Sequence, residues 1–118
     1  MILKDSMFTV TGGTLDKVAV RLNASHTIYQ AHFPGNPITP GVCIVQMIGE
    51  LLGDRCGRRL SLSKIVNLKF VAPISPVETP DIVVDFTSVD DTTTECKAKG
   101  TIMAGEQLLT KYSLVFKG

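Results

Sequence analysis

The sequence is short of charge and close to balance: charged residues make up 19% of its 118 positions, and the formal net charge is +1. A near-neutral chain has no electrostatic grip on a phosphate backbone, so nucleic acid is not an expected partner. Cysteine is sparse as well. Cys43, Cys56 and Cys96 are scattered, with no CxxC and no neighbouring histidine pair. That pattern indicates neither a disulfide framework nor a metal site, and it suits a reducing compartment. No run approaches the roughly 20 apolar residues of a membrane span, and MILKDSMFTV lacks a signal-peptide hydrophobic region. A cytoplasmic protein with no membrane partner is expected. Internal repeats, low-complexity tracts and linkers are missing too, so residues 1–118 are expected to form one domain.

Apolar residues, by contrast, are plentiful. At 44% of the chain they exclude disorder and suggest that some apolar surface is covered by another copy of the chain. Phe8 and Val10, then Val18, Val20 and Leu22, alternate with polar residues on either side of Gly12-Gly13, which predicts two strands joined by a turn. Residues 23 to 30 read as irregular, with His26 at the surface. Ile65 to Val71 form a strand pattern that Pro73, Pro76 and Pro80 interrupt. Three long strands are predicted over residues 81 to 89, 93 to 103 and 107 to 116, turning at Asp90-Asp91 and Ala104-Gly105. With no βαβ alternation, the pattern predicts an α+β fold in which an antiparallel sheet wraps around one central helix.

That helix belongs to HFPGNPITPGVCIVQMIGE, residues 32 to 50, around which the rest is organised. Pro34, Gly35, Pro37 and Pro40 forbid a regular element, so a rigid loop carries His32. From Gly41 the residues are too apolar all round for a surface helix, and the helix must be enclosed. Thr39 is the expected N-cap, with Pro40 in the first turn. A helix that starts at glycine presents bare N–H groups and the positive end of its dipole, an oxyanion site. A histidine on a rigid loop beside it can act as a base near neutral pH. Together they would polarise a carbonyl and remove the adjacent proton; alternatively, His32 braces the loop. Cys43 lies close enough to this site to react if exposed, while burial would leave it inert. Beyond the helix, Arg55, Arg58 and Arg59 either compensate its dipole or offer an anion dock.

These residues resemble the 3-hydroxyacyl-(acyl carrier protein) dehydratases of the hot-dog fold. His32, Phe33, Pro34, Gly35, Pro37, Pro40, Gly41 and Val42 match that family's motif position by position, and Phe70, Pro73 and Pro76 match the spacing of a later strand and loop. The resemblance implies that His32 abstracts the C2 proton of a 3-hydroxyacyl thioester while the Gly41 amide binds the thioester carbonyl. It further implies that Phe33, Gly35, Val42, Phe70 and Pro73 contact the substrate. No metal or redox cofactor is implied, because the substrate is carried on the phosphopantetheine of acyl carrier protein or on CoA. Two protomers join edge to edge in the family, each site drawing its histidine from one chain and its acid from the helix of the other. A homodimer, a larger assembly of dimers or a heterodimer with a homologue is expected, and Gly41, Gly49 and Gly53 are compatible with close approach of a partner.

The chain departs from the family at the acid. Fourteen positions after His32 stands Gln46, an amide that can orient a hydroxyl but has no proton to give. Glu50 lies one turn further on, about 5.4 Å along the axis, too far to occupy the missing carboxylate's place. It either relays a proton through water or is a paired structural carboxylate. Gln46 likewise either orients substrate or braces the loop. Three functions remain open: dehydration of 3-hydroxyacyl thioesters in fatty-acid or polyene-type synthesis, a catalytically impaired thioester-binding or partner subunit, and thioester hydrolysis.

Overall fold

A computed structural model describes residues 2–118. Its elements are β1 (Phe8–Gly13), β2 (Lys17–Leu22), the single turn α1 (Ile28–Ala31), α2 (Gly41–Cys56), β3 (Ser61–Phe70), β4 (Asp81–Asp91), β5 (Glu95–Ala104) and β6 (Gln107–Lys117). All six strands form one antiparallel sheet in the order β1-β2-β4-β5-β6-β3. Strands β4 to β6 point Ile82, Val84, Phe86, Cys96, Ala98, Ile102, Leu109, Leu114 and Phe116 into one core. Helix α2 fills the hollow of that face with Cys43, Ile44, Met47, Ile48, Leu51 and Leu52. This is the α+β hot-dog architecture expected from the sequence. No helix among the described residues is long and apolar enough to cross a membrane.

The differences from expectation are local. The N-cap of α2 is Pro40, without a side-chain cap. Thr39 is buried, and its hydroxyl donates to Ile74 O at 2.9 Å and meets the Tyr29 hydroxyl at 2.9 Å. Two buried partners outcompete the cap. Residues 28 to 31 form a helical turn where irregular chain was expected, and His26 is half-buried because its Nδ1 accepts from Ile28 N at 3.1 Å. The Gly12-Gly13 pair lies within β1, so the hairpin turns just beyond it, over residues 14 to 16, where Thr14 Oγ1 accepts from Lys17 N. The β4–β5 turn falls at residues 92 to 94, where Thr92 Oγ1 bonds both N and O of Glu95. Helix α2 runs through Gly53 to Gly57, whose φ of 72° closes it in the left-handed region.

The glycines of α2 also serve a different neighbour from the one expected. A methyl at Gly41 would meet Phe70 Cζ at 2.9 Å, one at Gly49 would meet Phe116 Cε1 at 2.8 Å, and one at Gly53 would meet Arg58 O at 2.7 Å. The helix is notched to seat its own sheet and its own following loop. Phe116 is only 2% exposed and has no room to yield. Gly49→Ala should therefore cost about 1–3 kcal/mol in spite of alanine's better helix propensity, read as a lower denaturant midpoint.

Candidate active site

The loop carrying His32 is held by its own backbone. Phe33 N donates to Asn36 O at 3.1 Å and Asn36 N to Phe33 O at 2.9 Å, while Ile38 N returns to His32 O at 2.8 Å. Gly35 stands at the exposed apex with φ 75° and open space around it, so glycine is needed there for backbone conformation. The His32–Phe33 peptide is cis. His32 is half-buried, its ring 5.5 Å from that of Phe33 in edge geometry. Its Nδ1 lies 3.3 Å from Ile28 O. A carbonyl only accepts, so that contact requires the proton on Nδ1 and leaves the Nε2 lone pair as the basic site.

Helix α2 begins as the oxyanion reading requires. Cys43 N and Ile44 N both donate to Pro40 O, whereas among the described residues the Gly41 and Val42 amides have no backbone acceptor. Those two N–H groups head the helix dipole. Phe70 stands against Gly41, and Val42 is 78% exposed.

From that end a groove of about 1070 Å³ runs along α2 toward Arg58 and Arg59. The helix lines it with Gly41, Val42, Val45, Gln46, Gly49 and Glu50; Leu62, Ile65, Leu68 and Phe70 line it from β3 and Phe116 from β6. The groove thus collects Gly41, Val42, Gln46, Glu50 and Phe70 of the expected site. His32, Phe33, Gly35 and Pro73 do not line it. One chain does not bring its imidazole and its helix start to a common cavity.

The Glu50 carboxylate is held by three donors. It accepts from Leu3 N at 2.8 Å, from Lys4 N at 2.8 Å and from Gln46 Nε2 at 2.9 Å. These charge-assisted bonds tie the N-terminal segment across α2 and turn the Gln46 amide nitrogen toward Glu50. Of the two readings open for Glu50, its bonding is that of a paired structural carboxylate. The other nearby acid, Asp54, holds Lys4 Nζ at 2.7 Å.

Of the remaining candidates, Arg55 and Arg58 act as braces, Arg59 lines the groove and Cys43 is enclosed in the core. Tyr29 is buried in the core, and burial raises its phenol above the ordinary range while the Thr39 contact acts the other way. Cys43 is 1% exposed, and burial pushes its thiol up. Arg55 binds Leu15 O and Asp16 in the β1–β2 turn, and Arg58 binds Asp91 and Thr92 O in the β4–β5 turn. The clamp by Leu3 and Lys4 went unseen in the sequence because backbone amides carry no side-chain signature. The lining by Leu62 and Ile65 was foreshadowed only by their apolar character. Glu50→Gln should weaken the clamp by about 1–3 kcal/mol. Faster amide exchange at Leu3 and Lys4 and a lower denaturation midpoint should both report it.

Residues 13–106 match the model of the ApeI-like family, described as ApeI dehydratase. Among curated relatives, the 3-hydroxyacyl-[acyl-carrier-protein] dehydratase FabZ of Alkaliphilus metalliredigens is 27% identical over 98% of this chain and 82% of its own length. The FabZ of Pelotomaculum thermopropionicum is 25% identical over 98% and 86%. Among solved structures, the dehydratase heterocomplex ApeI:P of Xenorhabdus doucetiae superposes with a TM-score of 0.61 at 15% identity, covering 92% of this chain and 93% of that one. A thioesterase of Haemophilus influenzae reaches 0.63 at 15% identity, covering 93% and 76%. At such identities the structural matches speak for the fold.

Proposed function

The chain belongs to the ApeI-like dehydratase family, and on that premise we propose that it dehydrates 3-hydroxyacyl thioesters to trans-2-enoyl thioesters at a site built by two chains. The observation that carries the reading is the groove: it starts at two amides with no backbone acceptor among the described residues, is apolar enough for an acyl chain, and lacks the imidazole that the reaction needs. A second chain would supply that imidazole. Strand β3 supports this, since it is an edge strand exposed along almost its whole length, with Leu62, Ile65, Val66 and Phe70 each at least 43% exposed. Edges of this kind invite another strand.

In the composite site the thioester carbonyl sits at the Gly41 and Val42 amides, where the dipole stabilises the negative charge that develops as C2 loses its proton. His32 Nε2 takes that proton. Collapse of the enolate expels the C3 hydroxyl, which must leave as water. Neither Glu50 nor Asp54 is an unengaged acid, so the imidazolium formed at His32 returns its proton to the departing oxygen, with the Gln46 amide orienting that group. The substrate rides on the phosphopantetheine of acyl carrier protein or on CoA, and no metal or redox cofactor enters.

One observation favours a second reading. With an amide at position 46 and Glu50 braced, the groove has no dedicated general acid, a group typically worth about 10² to 10⁴ in rate. The chain would then be a thioester-binding subunit that completes a homologue's site, by analogy with the dehydratase heterocomplex of Xenorhabdus doucetiae. Thioester hydrolysis is less well supported, because it needs a carboxylate or activated water and Glu50 is engaged. Purified protein given 3-hydroxyacyl thioesters of several chain lengths should form enoyl product, and His32→Ala should lose at least about 100-fold. Gln46→Glu should raise the rate. Activity that survives His32→Ala would overturn the assignment, and silence alone with activity on mixing with a homologue would establish the partner role.

A further inference from the structure

Cys56 and Cys96 lie 40 residues apart in sequence, yet their sulfurs are 3.6 Å apart. Cys56 closes α2 and is half-buried; Cys96, near the start of β5, is fully enclosed. Asp91 lies beside them, its carboxylate oxygen within 4.8 Å of both sulfurs. The three donors do not make a good cation site, because the Arg58 guanidinium already holds Asp91 at 2.7 Å and a metal would have to sit against that positive charge. Two sulfurs in contact, one of them reachable from solvent, suit a different chemistry.

We propose that Cys56 and Cys96 form a reversible intrachain disulfide that ties the C-terminal end of α2 to β5 when the chain meets an oxidised low-molecular-weight thiol. The half-buried Cys56 attacks one sulfur of the small disulfide RSSR, breaking its S–S bond and releasing one RSH. Cys96 then displaces the second RSH from the mixed disulfide. Two protein S–H bonds and one RS–SR bond are broken, and one protein S–S bond and two RS–H bonds are formed, so protons and electrons balance. Burial pushes both thiols up, Cys96 to about 12, with Arg58 pulling the other way. Only the small thiolate fraction attacks, so the exchange is slow and quickens as pH rises. Once formed, the link closes a long loop and restricts the unfolded chain, which raises stability without altering the groove face of α2.

The test uses the full chain, incubated with glutathione disulfide, acid-quenched and denatured. Free thiols should fall from three to one, Cys43, with an intact mass lower by two hydrogen atoms and no retained glutathione. Peptide mapping should recover the Cys56–Cys96 link. The guanidinium midpoint should rise and return with dithiothreitol, and Cys56→Ser should remove both effects. Three surviving thiols under conditions that fully oxidise free dithiothreitol would overturn the proposal. So would a persistent glutathione adduct, a link to Cys43 or a link between chains. A midpoint unmoved by the intrachain link would overturn the tether.

Discussion

A helix apolar over all but the stripe of Gln46, Glu50 and Asp54 cannot be left in water, and a single six-stranded sheet can cover only part of it. That constraint organises the molecule. The sheet buries nine residues of α2, Cys43 to Gly53, and the strand order then places β3, the strand that follows the helix, at the outer edge. Between them lies an uncovered apolar trough. Burying apolar surface is worth roughly 25 cal/mol per Å², so what one chain leaves bare is a standing incentive for a second to cover it. Fold and site are thus consequences of one unsatisfied surface.

Inside this apolar frame, polar groups are placed where their chemistry is already decided. Ile28 O sets the tautomer of His32, the absence of a side-chain cap leaves the first amides of α2 bare, and Leu3 and Lys4 hold the Glu50 carboxylate. In the proposed dehydration these groups serve as a base and an oxyanion site with no separate acid. A histidine that gives back the proton it removes needs no second titrating group, but it must stay near the leaving oxygen through both steps. The self-bonded loop of residues 32 to 38 provides that rigidity.

Much of this was legible in the sequence because it is local. The start of α2 follows from Pro40-Gly41, the stiffness of the His32 loop from its prolines, and β4 to β6 from the turn residues Asp90-Asp91 and Ala104-Gly105 that separate them; each reads to within a few residues of what is found. What was hidden depends on contacts between distant segments. Thr39 has the chemistry of a cap, yet Tyr29 and Ile74 claim its hydroxyl. Three glycines spaced along one helix suggested a partner, yet Phe70, Phe116 and the Arg58 carbonyl occupy the space. Cys56 and Cys96 looked unrelated until the sheet brought them together. Glu50 could be placed beside Gln46 from helical spacing, but nothing in the letters says that the third and fourth amides of the chain would cross over to it.

The bare edge of β3 carries Lys64 and Lys69. In an antiparallel pairing of this strand with a copy of itself, the register that sets 64 against 69 faces ammonium with ammonium, and so do the registers that set either lysine against itself. An identical mate must slide away from those alignments, whereas a sibling strand with an acidic residue at the facing position gains by adopting one of them. Two side chains therefore bear on the choice between like and unlike mates, and they do so through charge rather than through the apolar surface both would cover.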